Sequence, residues 1–225
     1  MEFKNGRYYF DSGDLKKAAQ TMEDDPIDGL KGNQEPIKRA CHDYWENPQD
    51  KDLLAILICV IDSTNSTGLT RKKRGNEKQK EFGVMNIASF CIKNDFIDSV
   101  KSGEAEKAET MIQDFWSEYQ INLFSLFSKL FCYCDLFVFE RDNFSIYDSV
   151  VGQHLYLFDC RSSNPILKSN PARWRANASY SEYNSAIEDI LNGQGISEED
   201  DSFRRRHLDN LIWGKFASGD ESSNQ

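Results

Sequence analysis

Residues 121–151 read INLFSLFSKLFCYCDLFVFERDNFSIYDSVV, and the interpretation of the whole chain depends on them. The stretch places a single lysine, Lys129, inside a run of apolar and aromatic residues. An aspartate, Asp148, follows a short Phe-Ser-Ile-Tyr run that has the composition of a strand. Two interpretations are open. The pair can be a nucleophilic amine and its acidic partner, or a lysine whose amine reaches solvent and an aspartate that caps a helix.

The length of the chain suits one sizeable hydrophobic core. It has 225 residues, of which 39% are hydrophobic and 28% charged, as is typical of a soluble protein. We therefore expect a single helical domain over residues 1–216, which could be built as two lobes, and a flexible polar tail over residues 217–225.

Nothing in the sequence predicts insertion into a membrane or export. The longest apolar run, LLAILICVI at residues 53–61, is shorter than the roughly 18–20 residues that a membrane span needs. The N-terminal MEFKNGRYYF has neither a basic segment followed by an apolar one nor an Arg-rich and Ser-rich amphipathic pattern. We therefore expect a cytoplasmic protein with no membrane partner.

The six cysteines are scattered along the chain rather than spaced as metal ligands. No CxxC pair and no closely spaced group of four is present, so the sequence supplies ligands for neither structural zinc nor an iron–sulfur cluster. In a reducing compartment such cysteines are typically small core residues. We expect no metal and no cofactor.

The net charge of −10 counts against binding to nucleic acid, because lysine and arginine supply most of the non-specific affinity for phosphate. Residues 71–80, RKKRGNEKQK, nevertheless carry six basic residues and one acidic residue. A basic surface can therefore exist on an acidic protein. Candidates for contact with a nucleic-acid backbone are Arg71, Lys72, Lys73 and Arg74, although a solvated loop is an equally good interpretation.

The periodicity of apolar residues predicts a mainly α-helical fold with little or no sheet. Residues 104–119 predict an amphipathic helix, and a connection over residues 120–126 leads to a second helix at 127–134 with Lys129 in its first turn. Asp148 begins another short helical segment that extends to residue 158. Further helices are expected at residues 15–22, 37–44, 52–62, 85–94, 96–102, 180–191 and 203–216.

The helix, hairpin, helix, loop and helix start over residues 104–158 resemble the helix-hairpin-helix superfamily of base-excision DNA glycosylases, in particular its 8-oxoguanine DNA glycosylase branch. The matching residues are Ser128-Lys129 and the run Ile146-Tyr-Asp-Ser-Val150. Lys129 and Asp148 are 19 residues apart, the interval found in that branch. The resemblance implies a two-lobed helical bundle whose hairpin covers about residues 104–134.

The resemblance also implies a mechanism. Lys129 would attack the sugar C1′ of a flipped-out nucleotide in DNA, displace a modified or foreign base and leave an imine that can proceed to strand cleavage. Asp148 would stabilise the positive charge that develops on the sugar and assist proton transfer. The candidates for contact with the base are Tyr133, Phe127 and Tyr147.

Three positions depart from the family pattern. The family has glycines in the hairpin that approach a DNA phosphate, where this chain has Ser125-Leu-Phe127. The family's histidine two residues after the aspartate is Val150, and its base-contacting cysteine is Tyr133. Specificity for 8-oxoguanine therefore does not carry over.

These departures leave a second hypothesis open. The chain can be a diverged binding module of the same fold that engages a protein or a free nucleotide. Either activity could serve a bacterial defence or base-modification system.

Overall fold

The computed structural model describes residues 1–24, 34–65, 69 and 83–216, with side chains described except at 22–24 and 65. Eleven α-helices and one two-stranded sheet form within this part of the chain. The expectation of a mainly α fold with little sheet is confirmed, whereas the helix-hairpin-helix glycosylase type stays a prediction. None of the described helices is long and apolar enough to cross a membrane.

The chain divides into two compact units. The first unit comprises Met1–Gly32 and Ser145–Gln225, and the second comprises Asn33–Phe144. The expectation of a single domain over residues 1–216 stays a prediction, and the tail at 217–225 lies outside the described residues.

The first unit begins with a β-hairpin followed by a helix. Strands β1 (Glu2–Lys4) and β2 (Arg7–Tyr9) pair antiparallel, and helix α1 spans Ser12–Asp24. Asn5 and Gly6 connect the strands with positive φ angles of 52° and 76°. Such a turn favours Asn-Gly, because both central residues must adopt the left-handed conformation.

The second unit consists of six described helices. Pro36 lies in the first turn of α2, and the carboxylate of Asp50 accepts hydrogen bonds from the Asp52 and Leu53 amides at the start of α3. Asp50 is thus the N-cap of α3. The helices are α2 (Glu35–Glu46), α3 (Lys51–Asn65), α4 (Val84–Lys93), α5 (Phe96–Ser102), α6 (Ala105–Tyr119) and α7 (Phe124–Phe139).

Helix α7 is the central helix of the second unit. It packs against α2, α3, α5 and α6, and eleven of its sixteen residues are buried. Its apolar side chains surround it almost completely, which is typical of a helix in the middle of a core. Residues 124–139 of the stretch 121–151 therefore form the core of this unit, whereas residues 145–151 belong to the first unit.

The predicted bounds of the second hairpin helix, residues 127–134, are wrong at both ends. Helix α7 begins at Phe124 rather than at residue 127 and extends to Phe139, so the connection shortens to residues 120–123. The side-chain oxygen of Asn122 accepts a hydrogen bond from the Phe124 amide at 3.0 Å, which fixes the earlier start. Ser125-Leu-Phe127, expected in the hairpin turn, lie within the first turn of α7.

The remainder of the first unit is helical. Its elements are α8 (Ser149–His154), the 3₁₀ helix Leu155–Phe158, α9 (Asn170–Asn177), α10 (Tyr180–Gly193) and α11 (Arg204–Phe216). Helix α11 contacts α1, α8 and α10, and so holds the unit together. Helix α9 is not among the predicted helices, although Pro171 in its first turn is compatible with a helix at that position.

The strand-like run before Asp148 forms no strand. Its backbone groups bond to side chains of α10 instead: Asn184 accepts from the Ser145 amide at 2.8 Å, and the Tyr180 hydroxyl donates to the Ser145 carbonyl at 2.8 Å. The Tyr183 hydroxyl donates to the Ile146 carbonyl. With these partners an extended segment can be buried without a neighbouring strand.

Candidate functional site

Lys129 is almost completely removed from water. Its residue is 4% exposed, and it is the one buried lysine in the part of the chain that the structure describes. The neighbouring Leu126 and Leu130 on α7 are likewise buried. A lysine whose amine extends into solvent would leave more of its surface exposed, so this burial argues against that interpretation.

The position of Lys129 along α7 differs from the prediction. Because the helix begins at Phe124, Lys129 lies in its second turn rather than in its first. The positive potential of a helix N-terminus falls off within the first turn. The helix dipole therefore contributes less positive potential at this amine than predicted.

Asp148 caps the N-terminus of α8. Its backbone is extended, and its Oδ1 accepts a hydrogen bond from the Val151 amide at 2.8 Å. The side chain is half-buried. The interpretation of Asp148 as a helix cap is thus confirmed, and the cap holds the carboxylate in one orientation.

Tyr147 helps to fix the start of α8. It is 5% exposed, and its ring meets that of Tyr183 edge to face at 5.3 Å. A Cβ added at Gly152 would come within 2.8 Å of the Tyr147 hydroxyl, so the helix needs glycine at this position. Burial raises the pKa of Tyr147, while the charge and hydrogen bond of Arg175 act to lower it. The phenol therefore stays protonated at neutral pH.

Tyr183 completes the surroundings of this segment. Burial raises its pKa well above the usual value, and the charge of Asp209 and, to a smaller extent, that of Asp148 act in the same direction. The protonated hydroxyl is the form that can donate to the Ile146 carbonyl. The backbone that leads into Asp148 is therefore held by a neutral tyrosine.

The two other predicted base-contacting residues are buried in packing contacts. Phe127 is fully buried, and its ring lies 5.3 Å from that of Phe115. Tyr133 is 1% exposed and stacks in parallel with Phe137 at 5.8 Å. A base can reach these ring faces only if neighbouring side chains move, so the role of Phe127, Tyr133 and Tyr147 in substrate binding stays a prediction.

The predicted residues fall in both units. Lys129, Phe127 and Tyr133 belong to the second unit, whereas Tyr147 and Asp148 belong to the first. The candidate backbone contacts Arg71, Lys72, Lys73 and Arg74 lie outside the described residues.

Four of the five cysteines in the second unit are core residues. Cys41, Cys91, Cys132 and Cys134 are buried, whereas Cys59 is exposed. Burial raises the pKa values of the Cys41 and Cys91 thiols, and neighbouring Cys134 adds to both shifts. Protonated thiols are poor metal ligands and poor nucleophiles. Within the described residues, no group of three or more His, Cys, Asp or Glu side chains could hold a metal ion.

Sequence reasoning missed two buried aspartates that pair with arginine. Asp135 accepts from the Arg141 guanidinium at 2.9 Å and from the Asn143 amide at 2.8 Å. Asp159 is fully buried and binds the Arg161 side chain through both carboxylate oxygens. The sequence signal for each pair is an aspartate in an apolar segment that is followed within a few residues by an arginine. Both pairs organise loops.

Comparison with protein-family models, with curated proteins and with solved structures finds no match to this chain.

The two roles of Asp148 can be separated by substitution. Asn caps a helix about as well as Asp, whereas Ala does not, so Asp148→Ala should lower the free energy of unfolding by about 1 kcal/mol and Asp148→Asn by a few tenths at most. Urea denaturation followed by circular dichroism measures both. A loss of about 1 kcal/mol in Asp148→Asn would show that the charge, rather than the cap, stabilises the fold.

Proposed function

We propose that this protein is a DNA glycosylase-like enzyme that removes a modified or foreign base, with Lys129 as nucleophile and Asp148 as its electrostatic and acid–base partner. The observation that carries the proposal is the 4% exposure of Lys129 on the central helix of the second unit. Lysine is seldom buried, because removing its charged amine from water costs free energy. Removal from water favours the neutral amine, which is the form that a lysine nucleophile requires.

In the proposed reaction, Lys129 carries out the covalent step. A lysine must be deprotonated before it can attack, and removal from water favours the neutral amine. The amine nitrogen forms a bond to the sugar C1′, while the bond from C1′ to the base breaks and the base leaves with its electron pair and takes up a proton. The C1′–O4′ bond then opens to give an imine between Lys129 and the sugar. Either water hydrolyses this imine, or the 3′-phosphate is eliminated from the imine-linked sugar.

Asp148 supports the same reaction through charge. Positive charge develops on the sugar as the bond to the base lengthens, and a carboxylate held in one orientation stabilises it without reorganising. The cap on α8 supplies that orientation through the Val151 amide. A carboxylate can also carry protons between the lysine, water and the departing base.

The proposal is tested with a panel of duplexes that each carry one modified base, incubated with the protein and borohydride. The wild type should release a base from at least one duplex and form a borohydride-stabilised covalent adduct with the same duplex. Asp148→Asn, which keeps the helix cap, should lose most of this activity. Asp50→Asn at the start of α3 is the matched control, because Asp50 caps a helix in the same way.

No base release and no adduct from any duplex would contradict the proposal. Equal loss of activity in Asp50→Asn and Asp148→Asn would also contradict it, because a general loss of helix stability would then explain both.

A second candidate function is favoured by the buried aromatic rings. Phe127, Tyr133 and Tyr147 are each at most 5% exposed, as expected for a diverged binding module in which no base is held. Such a module would bind a protein or a free nucleotide without excision. Calorimetry at two salt concentrations distinguishes this module from a DNA-binding protein. The affinity for DNA falls steeply with added salt, whereas the affinity for a protein need not.

A further inference from the structure

A cavity opens in the second unit between the C-terminal ends of α2 and α4 and the helix α5. Its volume is about 180 Å³. A cavity of roughly 150 Å³ is enough for one benzene molecule, so this one suits a ligand much smaller than a nucleotide. The apolar part of its wall consists of Tyr44, Pro48, Ile92, Phe96 and Ile97.

Two aromatic rings line this cavity. Tyr44 and Phe96 are each 1% exposed, and their ring centroids lie 6.3 Å apart with the ring planes inclined by 32°. The faces of aromatic rings attract cations, and the attraction is stronger where the cation leaves water. Apolar walls cannot replace the water around an ammonium N–H, whereas methyl groups on the nitrogen need no such replacement. The wall therefore favours a cation whose nitrogen carries methyl groups.

The Tyr44 hydroxyl offers a hydrogen bond to a ligand. It has no hydrogen-bond partner among the described residues, although it is not sealed from accessible space. Because Tyr44 is otherwise buried and lines the cavity, this access is through the cavity. Burial raises the pKa of Tyr44, and the nearby thiols of Cys134 and Cys91 act in the same direction. The phenol therefore stays protonated and can donate to an oxygen atom.

Asp95 brings a carboxylate to the same cavity. It precedes α5, where aspartate commonly caps a helix, but its side chain accepts no hydrogen bond from that helix. It also forms no ion pair with another residue that the structure describes. The other two charged residues of the wall, Asp98 and Lys101, pair with each other at 3.5 Å. The Lys101 ammonium also lies 5.1 Å from the centroid of the Trp45 ring.

The donors of this wall suit an organic cation better than a metal ion. In the described ranges, no group of three or more His, Cys, Asp or Glu side chains could hold a metal. A carboxylate beside two aromatic rings is instead an arrangement that recognises alkylated ammonium groups.

We propose that this cavity, whose wall includes neither Lys129 nor Asp148, binds a small methylated ammonium ion that also carries an oxygen atom. The methyl groups pack against the rings of Phe96 and Tyr44, and the positive charge faces the Asp95 carboxylate. The oxygen atom accepts a hydrogen bond from the Tyr44 hydroxyl. A free small molecule and a methylated lysine of another protein share this chemistry.

Titration of the full chain with choline, followed by NMR of the backbone amides, tests the proposal. Choline should bind about 3-fold to 30-fold more tightly than 3,3-dimethylbutan-1-ol, which has the same shape without the charge. Ethanolamine, which lacks the methyl groups, should bind more weakly than choline. The largest changes in chemical shift should fall on the amides around Asp95 and Phe96.

Two variants separate the charge from the hydrogen bond. Asp95→Asn should weaken the binding of choline by about 5-fold or more and leave that of dimethylbutanol unchanged. Tyr44→Phe should weaken the binding of choline by about 2-fold to 10-fold and leave that of tetramethylammonium, which has no oxygen, unchanged. The matched controls are Asp114→Asn and Tyr9→Phe, an exposed aspartate and an exposed tyrosine elsewhere on the chain, and neither should change any affinity.

The stability of Tyr44→Phe provides a second check. Because the hydroxyl has no partner among the described residues, the variant should unfold at the same urea concentration as the wild type. A large loss of stability would show that the hydroxyl serves the fold, and would overturn its role in binding a ligand.

Several results would overturn the inference. They are the absence of binding by any probe, equal affinities for choline and dimethylbutanol, an affinity of Asp95→Asn for choline equal to that of the wild type, and equal losses in the two controls. Ethanolamine that binds as tightly as choline would exclude a methylated ion.

The source of the ammonium is decided by competition. A peptide that carries trimethyllysine and binds more tightly than choline assigns the cavity to a protein partner, whereas tighter binding of choline assigns it to a free small molecule. Lys129→Met should bind choline as the wild type does, because Lys129 does not line the cavity. Failure of this inference therefore leaves the proposed reaction intact, and the reverse also holds.

Discussion

Replacing Lys129 by methionine is expected to abolish base release, with a loss of about 10³-fold or more in the single-turnover rate. The substitution removes the nucleophile while it keeps an unbranched side chain of similar length in the core. Loss of a nucleophile lowers the rate by orders of magnitude, because none of the other steps can replace the covalent one. Single-turnover assays on the duplex that the wild type processes measure the effect.

Urea unfolding of the same variant distinguishes a loss of chemistry from a loss of structure. Methionine keeps an unbranched side chain of similar length, so we expect Lys129→Met to remain folded. Lys93→Met, at an exposed position on α4, is the control and should keep full activity. Full activity in Lys129→Met would exclude the lysine mechanism.

Replacing Asp159 by alanine is expected to cause the largest loss of stability in the first unit, about 3–5 kcal/mol. Asp159 is fully buried and accepts hydrogen bonds from the Arg161 side chain and from the Ile166 amide at 2.6 Å. Alanine would leave the Arg161 guanidinium with one partner, Asp189, and the buried Ile166 amide without its acceptor. Urea unfolding at neutral pH measures the loss.

The contribution of Asp159 should depend on pH in a defined direction. Burial alone would raise the pKa of this carboxyl group, but hydrogen bonds from Arg161 and from the Ile166 amide lower it below its usual value. A depressed pKa in the folded state stabilises the protein above the unfolded-state pKa of about 3.9, and that stability disappears as the pH falls through the lower folded value. The difference between wild type and Asp159→Ala should therefore be constant near neutrality and shrink below about pH 4.

The exposed partner Asp189 provides the matched control. Its side chain is 54% exposed, so Asp189→Ala should cost at most about 1 kcal/mol. A loss in Asp189→Ala as large as that in Asp159→Ala would show that the surface ion pair, and not the buried carboxylate, anchors the loop.

The helices were predictable wherever apolar residues recur with helical spacing. Residues 104–119 match α6 to within one residue, and the cap at Asp50 could be read directly from the sequence. The start of α7 was not predictable in this way, because residues 121–134 are apolar on nearly every side. The Asn122 side chain, which accepts a hydrogen bond from the Phe124 amide, marks that start in the structure. An apolar run shows that a helix is buried but not where it begins.

The candidate site was predictable in part. The burial of Lys129 follows from its apolar neighbours in the sequence, and the cap at Asp148 follows from the Ser149 that begins α8. The contact of Arg7 with the Tyr156 ring was not predictable, because it joins residues that are far apart in the sequence. Contacts across that separation depend on the fold of the whole unit and leave no local pattern.

Peptide mapping of the borohydride-trapped adduct tests the central claim most directly. After digestion of both protein and DNA, mass spectrometry locates the lysine that carries the reduced sugar. The mechanism predicts one modified peptide, with the sugar remnant on Lys129, and no such peptide from Lys129→Met. A remnant on another lysine or on the N-terminal amine, or a wild-type protein that releases the base without any trapped peptide, would contradict the assignment of Lys129 as the nucleophile.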